Sequence, residues 1–271
     1  MKTRIIVGIL LSLMLIALLW FGGFVLLTAL SLFAFAAVYE TGLAFKNRGF
    51  RPWMIAAYVF ALLFPFVYYF FGLTVMLVFY VAAVLTVMTV SLLSKRIETR
   101  DMMASLFIMV YPAVLLICMV LVYFQFERKL ALVSACLAYG APELADAIAY
   151  FAGTLFGKHK LCPEISPKKT VEGSIGALIG GVGFGAIMIP LQTVWGGSVS
   201  PVTLLLIGLG CGVFAQLGDL FASSIKRWAD MKDFSSLFPG HGGVMDRIDS
   251  ILFCSAFVLG CFTILSKVSI Y

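Results

Sequence analysis

The sequence predicts an all-α, polytopic membrane protein with about nine transmembrane helices, a cytoplasmic N terminus and no separate soluble domain. Of its 271 residues, 62% are hydrophobic and only 12% are charged, whereas a soluble domain is about half apolar and about a quarter charged. The formal net charge of +6 is thinly spread through this apolar chain, which excludes disordered, collagen-like and nucleic-acid-binding proteins. The lipid bilayer is therefore the expected solvent.

Nine apolar windows support this fold class. A helix needs about 20 mostly apolar residues to cross the hydrocarbon core of a bilayer. Such windows run at residues 5–21, 24–39, 53–70, 73–93, 104–124, 130–151, 173–194, 202–222 and 248–267. The first window follows Lys2 and Arg4 and resembles a signal peptide, but it lacks a small-residue cleavage site. We expect it to stay as an uncleaved helix that turns through Gly22 and Gly23 into the second span.

The distribution of Lys and Arg predicts the orientation. If nine spans alternate, the loops on the N-terminal side hold 16 of the 19 basic residues, and the other side holds Arg128, Lys129 and Lys267. Because basic loops stay in the cytoplasm, the N terminus is expected there. The six cysteines form no CxxC pair, so we expect buried apolar thiols rather than a zinc site or a disulfide framework.

Charged residues concentrate in two segments near the C-terminal half. Residues 140–173 and 219–249 together hold 17 of the 32 charges. The sequence therefore predicts an N-terminal scaffold of transmembrane helices at 1–125. A catalytic transmembrane region at 126–271 would carry cytoplasmic loops at 152–172 and 223–247.

Asp219 is the first candidate site residue. It lies near the end of the eighth window, where a carboxylate is costly unless it is paired, hydrated or bound to a cation. A continuous helix places Ser223 one turn and Lys226 two turns further along the same face. The alternative is that Asp219 pairs with Lys226 or Arg227 at the membrane boundary.

A glycine-rich turn followed by two acids forms the second candidate segment. Residues 239–243, Pro-Gly-His-Gly-Gly, allow the backbone to approach a phosphate closely. Asp246 and Asp249 follow at the start of the ninth window, one helical turn apart. Carboxylates at such a position suit Mg²⁺, which uses one or two protein carboxylates and completes its shell with phosphates and water. Asp249 could instead cap the helix or pair with a nearby base.

A third segment, residues 157–173, is rich in lysines and hydroxyls. Ser166, Lys168, Lys169 and Thr170 alternate hydroxyls with bases, which suits an anionic ligand. The rule that places positive loops in the cytoplasm would by itself account for lysines here. Residues 153–158 resemble a Walker A loop only superficially, because the spacing is one residue short.

These segments resemble the phosphatidate cytidylyltransferase family, also called CDP-diacylglycerol synthases. Residues 223–249 read S-x-I-K-R-x4-K-D-x-S-x2-F-P-x-H-G-G-V-x-D-R-I-D, which is similar to the signature of that family. Residues 146–150, 157–161 and 166–173 resemble its second block, although Ala147 and Ile148 stand where the family usually has Thr-Gly. The matching blocks cover roughly the C-terminal half of the chain.

The resemblance implies transfer of a cytidylyl group from CTP to phosphatidate, giving CDP-diacylglycerol and pyrophosphate for phospholipid biosynthesis. It implies Mg²⁺ held by Asp219 and Asp246, leaves open whether a second cation is bound, and gives Ser223, Lys226 and Asp249 catalytic or supporting roles. The residues expected to bind substrate are Ser166, Lys168, Lys169, Thr170, Arg227, Lys232, His241 and Arg247. The implied setting is a cell (inner) membrane with the site facing the cytoplasm, and the implied assembly is a homodimer. No nucleic-acid partner is expected.

Two other functions stay open on the sequence. A CTP-dependent lipid kinase needs a similar site but transfers the terminal phosphoryl group. A membrane transporter would also explain intramembrane carboxylates, but transporters usually place them near the bilayer midplane between repeats, and no internal repeat is evident.

Overall fold

The computed structural model describes residues 10, 13–14, 16–94, 97–238, 240 and 242–268. Its helices, labelled in chain order, are α1 (Gly23–Asn47), α2 (Ile55–Leu93), α3 (Thr99–Val110), α4 (Ala113–Phe124), α5 (Arg128–Phe156), α6 (Val171–Val194), α7 (Pro201–Trp228) and α8 (Met245–Val268). Between α5 and α6 lies an antiparallel pair of strands, β1 (Lys160–Cys162) and β2 (Ser166–Thr170).

Seven helical segments among the described residues are long and apolar enough to cross a membrane. They are α1, α2, α3 together with α4, α5, α6, α7 and α8. These segments coincide with every predicted window except the first, 5–21, of which residues 10, 13–14 and 16–21 are described and are helical. The chain is thus a multi-pass helical protein, and the count of nine spans stays a prediction.

Helix α2 covers two predicted windows because the chain reverses direction at Gly72. This residue has φ 80° and ψ 179°, a backbone conformation that glycine adopts most readily. The ring centroid of Phe60 lies 5.5 Å from that of Phe79 and 5.3 Å from that of Tyr80. A straight helix would separate residues 20 positions apart by about 30 Å. Helix α2 is therefore a helical hairpin with arms at 55–71 and 73–93.

The chain divides into two compact units. The first contains residues 1–120 and 225–247. Within it, α1 packs on α2 through Phe35 and Tyr58, whose ring centroids are 5.1 Å apart, and on α3 through Phe45 and Phe107, at 5.4 Å. The predicted boundary between scaffold and catalytic region near residue 125 stays a prediction.

The second unit contains residues 121–224 and 248–271. Glycines allow its helices to approach closely. The clearest case is Gly181 of α6 against Gly208 of α7, where a Cβ added to either residue would collide with the carbonyl oxygen of the other. Such small-residue contacts let helices associate by close backbone packing in lipid.

This contact predicts a difference between two neighbouring glycine variants. Gly181→Ala is expected to destabilise the protein by about 1–3 kcal/mol, because the added methyl group meets backbone that cannot move aside easily. Gly183→Ala, on the same helix, would meet only a Leu144 methyl group at 4.0 Å and should leave stability nearly unchanged. Denaturation of the two purified variants in detergent measures the difference, and an equal loss in both would contradict the packing described.

Large apolar side chains cover much of the described surface. Leu92 is 83% exposed, and Phe70, Phe71 and Val194 are similarly uncovered. Water would disfavour so much apolar surface, whereas lipid solvates it. The surface therefore agrees with the bilayer that the composition predicts.

The predicted loop at 152–172 is more ordered than expected. Helix α5 continues to Phe156, and β1 and β2 then form a short hairpin in which Lys160 pairs with Thr170 and Cys162 with Ser166. The prediction of an all-α fold therefore misses one small sheet. A hairpin supplies hydrogen-bond partners to backbone groups that an open loop would leave to water.

Candidate functional site

Charged and hydroxyl side chains gather in two clusters, one in each compact unit. The Asp219 cluster, in the second unit, consists of Asp146, Lys169, Asp219, Ser223, Asp249 and Ser250. The Asp246 cluster, in the first unit, consists of Glu40, Lys226, Ser235 and Asp246 together with backbone amides of residues 234 and 243–245.

In the Asp219 cluster, two elements supply partners for one carboxylate. Ser223, one turn further along α7, donates a hydrogen bond of 3.3 Å to Oδ1 of Asp219. Lys169, on β2, places its ammonium 2.5 Å from Oδ2. The side chains of Lys169 and Asp219 are 24% and 30% exposed, but the Nζ atom of Lys169 is itself buried. Asp219 thus pairs with Lys169, and Lys226 pairs with Asp246 instead.

Gly218 brings α7 and α8 into close contact beside Asp219. A Cβ on Gly218 would collide with the carbonyl oxygen of Asp249, so only glycine allows this approach. On α8, the Ser250 backbone amide donates a 2.7 Å hydrogen bond to Oδ1 of Asp249, and the Ser250 hydroxyl lies 3.3 Å from Oδ2 of Asp146 on α5. Three acids and two serines from three helices thus share one region.

The charges in this cluster fit a divalent cation. The carboxylate of Asp146 interacts electrostatically with Asp219, Glu143 and Lys169, so several negative groups face one ammonium. Carboxylate and hydroxyl oxygens are hard ligands of the kind that Mg²⁺ binds. Among the described residues, no group of three or more His, Cys, Asp or Glu is arranged to hold a metal ion.

The Asp246 cluster is buried and fully hydrogen bonded. Oδ1 of Asp246 accepts a 2.7 Å bond from the ammonium of Lys226, and Oδ2 accepts from the backbone amides of Phe234 at 2.8 Å and Gly243 at 2.9 Å. Asp246 and Lys226 are each only 8% exposed. The Lys226 ammonium also lies 5.5 Å from the ring centroid of Phe234, a cation–π contact.

Two glycines of the predicted turn make this arrangement possible. Gly242 has φ +82°, and a Cβ there would lie 2.6 Å from Oδ2 of Asp246. A Cβ on Gly243 would collide with the carboxylate of Glu40. The glycines that the sequence predicts to approach a phosphate therefore also admit two buried carboxylates.

Glu40 is a residue that the sequence reading missed. It lies in α1, within the region predicted to be scaffold, and is 2% exposed. Its carboxylate accepts hydrogen bonds from the Ser235 hydroxyl at 2.7 Å and from the backbone amides of Val244 at 3.0 Å and Met245 at 2.7 Å. The sequence did contain a clue to Glu40: it is an acid directly after an apolar window, and a carboxylate at such a position needs a partner.

The other predicted residues differ in their surroundings. Thr170 is buried and caps α6, its hydroxyl accepting a 3.1 Å bond from the Gly173 amide. Arg227 is exposed and donates to the Met231 carbonyl at 3.1 Å. Lys168, Lys232 and Arg247 are exposed and Ser166 is half-buried. His241 lies outside the described residues.

Apolar helical spans with acids, bases and hydroxyls near their ends define the class: a multi-pass helical membrane protein with polar clusters. The chain belongs to the cytidylyltransferase family, whose model matches residues 2–265.

Several curated proteins called phosphatidate cytidylyltransferase are similar to this chain. The protein from Bacillus subtilis (strain 168) is 47% identical over 113 residues, which are 42% of this chain and 41% of that protein. The one from Staphylococcus haemolyticus (strain JCSC1435) is 40% identical over 48% of this chain and 49% of its own length. The one from Aquifex aeolicus (strain VF5) is 34% identical over 68% of each chain. The chain thus spans less than half the length of the first two relatives.

Proposed function

We propose that this protein transfers the cytidylyl group of CTP to phosphatidate, giving CDP-diacylglycerol and pyrophosphate for phospholipid biosynthesis. Membership of the cytidylyltransferase family supports the reaction class, and the name shared by its relatives supports the substrate. The observation that carries the proposal is the Asp219 cluster, where three acids, one ammonium and two serines meet among apolar helices.

The chemistry requires an oxygen of phosphatidate to attack the α phosphorus of CTP. The new P–O bond forms as the bond to the β-phosphate oxygen breaks, and pyrophosphate leaves with that electron pair. A phosphate monoester is mostly dianionic near neutral pH because its second pKa is about 6, so the nucleophile needs no strong base. Positioning and neutralisation of phosphate charge therefore account for most of the rate enhancement.

Residues of both clusters have proposed roles in metal binding for this reaction. Asp219 and Asp246 are the proposed Mg²⁺ ligands, with Ser223 and Asp249 supporting them. Mg²⁺, when bound, would neutralise charge on the triphosphate. Whether a second cation binds is left to metal titration.

The exposed bases suit contact with phosphate oxygens. Lys168, Lys232 and Arg247 are exposed, and none of the ion pairs between described residues includes them. Their charges are therefore open to an anionic ligand. Lys169 lies beside Asp219, and Lys226 is committed to Asp246. The full set proposed to bind CTP, phosphatidate or pyrophosphate is Ser166, Lys168, Lys169, Thr170, Lys226, Arg227, Lys232, His241 and Arg247.

The membrane setting follows the same proposal. The excess of basic residues on one side supports a cell (inner) membrane location, a cytoplasmic N terminus and a site facing the cytoplasm. CTP would then arrive from the cytosol, while the phosphatidate headgroup lies at the membrane surface. The family resemblance supports a homodimer, which light scattering of the detergent-solubilised protein would measure.

A single labelling experiment tests the proposed reaction. Purified protein is incubated with Mg²⁺, phosphatidate and CTP that is labelled on its α phosphate. We expect label to enter the lipid fraction and unlabelled pyrophosphate to be released in equal amount. If CTP labelled on its α phosphate gives no labelled lipid, but CTP labelled on its γ phosphate does, the protein is a lipid kinase. Uptake of substrate into proteoliposomes without CTP turnover would indicate a transporter.

A further inference from the structure

We propose that the C-terminal end of α1 clamps both ends of the segment Ala229–Val244, with Glu40 and Arg48 as positioning residues for the proposed cytidylyl transfer. The proposal rests on the proposed function for its kinetic consequence, but the clamp itself is a structural claim. All of its contacts lie within the first compact unit.

Glu40 holds the end of this segment that enters α8. The amides of Val244 and Met245 are among the first amides of that helix, which have no partner inside the helix. Both donate to the Glu40 carboxylate, at 3.0 Å and 2.7 Å. The Ser235 hydroxyl adds a third bond at 2.7 Å, so one buried carboxylate ties two parts of the segment together.

Arg48 holds the end that leaves α7. Its Nε donates to the carbonyl of Trp228, the last residue of α7, and its Nη1 lies 2.9 Å from Oδ2 of Asp230. Asp230 has φ 53°, and the Met231 amide donates back to the Lys226 carbonyl at 2.8 Å. This is the left-handed ending that commonly closes a helix, here held by an arginine from another element.

The two contacts match the charges of the helix ends. The N-terminus of a helix carries partial positive charge and the C-terminus partial negative charge. Glu40 meets the former and Arg48 the latter. Between them, Phe45 packs against Trp228 at a ring-centroid distance of 5.0 Å, and Phe50 does so at 5.7 Å.

The clamped segment leads directly to proposed site residues. It contains Lys232, and it supplies the Phe234 and Gly243 amides that bind Asp246 at 2.8 Å and 2.9 Å. Loss of the clamp would loosen those amides and shift Asp246. Glu40 and Arg48 would thereby act on the reaction without touching substrate.

Hydrogen exchange and kinetics on the full-length protein test the clamp. The variants are Glu40→Gln, Glu40→Ala, Arg48→Lys and Arg48→Ala. Matched controls are Glu98→Ala and Glu98→Gln, which break or weaken an exposed pair with Arg100 elsewhere in the same unit, at 2.8 Å. We expect Glu40→Ala to speed exchange of the Val244 and Met245 amides by about tenfold or more, and Arg48→Ala to do the same near Asp230 and Met231. The Gln and Lys variants should show smaller effects, and the controls none.

Kinetics separate positioning from simple loss of folding. Rates are expressed per folded molecule, with the folded fraction taken from size-exclusion chromatography. We expect kcat to fall about tenfold in both Ala variants, with partial rescue in Glu40→Gln and Arg48→Lys.

Unchanged exchange in both Ala variants would overturn the clamp. Faster exchange with unchanged kcat and KM per folded molecule would overturn the positioning role. If the wild type transfers no cytidylyl group, the proposed function fails, and hydrogen exchange alone then decides the clamp. Arg48 is exposed enough, at 39%, that its variants test the proposal even where Glu40→Ala does not fold.

Discussion

Asp219→Asn is expected to lower cytidylyl transfer by about 10³-fold while the protein stays folded. The substitution keeps the shape of the side chain but removes the charge that faces the Lys169 ammonium at 2.5 Å and that is proposed to hold Mg²⁺. The Lys169 and Asp219 side chains are 24% and 30% exposed, so the Lys169 ammonium, which is buried within the pair, can turn toward solvent once the opposite charge is removed. Stability should therefore change far less than activity.

The measurement is incorporation of α-labelled phosphate from CTP into lipid over a range of Mg²⁺ concentrations. Glu164→Gln is the matched control, because Glu164 is an exposed acid in the turn between β1 and β2 of the same unit. The control should keep wild-type activity. A folded Asp219→Asn protein with near-normal turnover would remove Asp219 from the proposed site.

Asp246→Asn is expected to reduce both stability and activity. Asp246 is 8% exposed, and its carboxylate accepts three hydrogen bonds, one from the buried Lys226 ammonium. Removal of one partner of a buried ion pair typically costs about 3–5 kcal/mol, because the remaining charge is left without compensation. The proposed Mg²⁺ role adds the loss of cytidylyl transfer.

A double variant separates these two effects. Lys226→Met combined with Asp246→Asn removes both charges, so much of the stability lost in either single variant should return. Activity should not return, because the proposed cation ligand is still missing. Denaturation in detergent and the labelled-CTP assay give the two readings. Recovery of turnover in the double variant would contradict a catalytic role for Asp246, and a fully stable single variant would contradict the buried pair.

Features that depend on nearby residues could be predicted from the sequence. The apolar windows follow from a bilayer thickness that any crossing helix must match, and eight of them fall on described helices. Ser223 lies one turn from Asp219 because helix geometry fixes that spacing, and the two side chains do interact.

Pairings that depend on the path of a loop could not be predicted in the same way. Lys169 and Asp219 are 50 positions apart, and the short hairpin that delivers Lys169 follows from pairing rather than from composition. Lys226 and Asp246 lie 20 positions apart, and between Trp228 and Met245 the described residues form no helix or strand. The sequence marks these four residues as site candidates, but it gives no means of choosing the partner of each.

The bonds of Glu40 also constrain how the protein is made. Its partners lie 195 to 205 positions later in the chain. At a synthesis rate of about 5–20 residues per second, they emerge about 10–40 seconds after Glu40. Until then the carboxylate of Glu40 lacks the hydrogen-bond donors that it has in the finished protein. An acid within an apolar helix is costly in lipid when it has no partner. A polypeptide that ends before Ser235 would lack all three of these donors permanently.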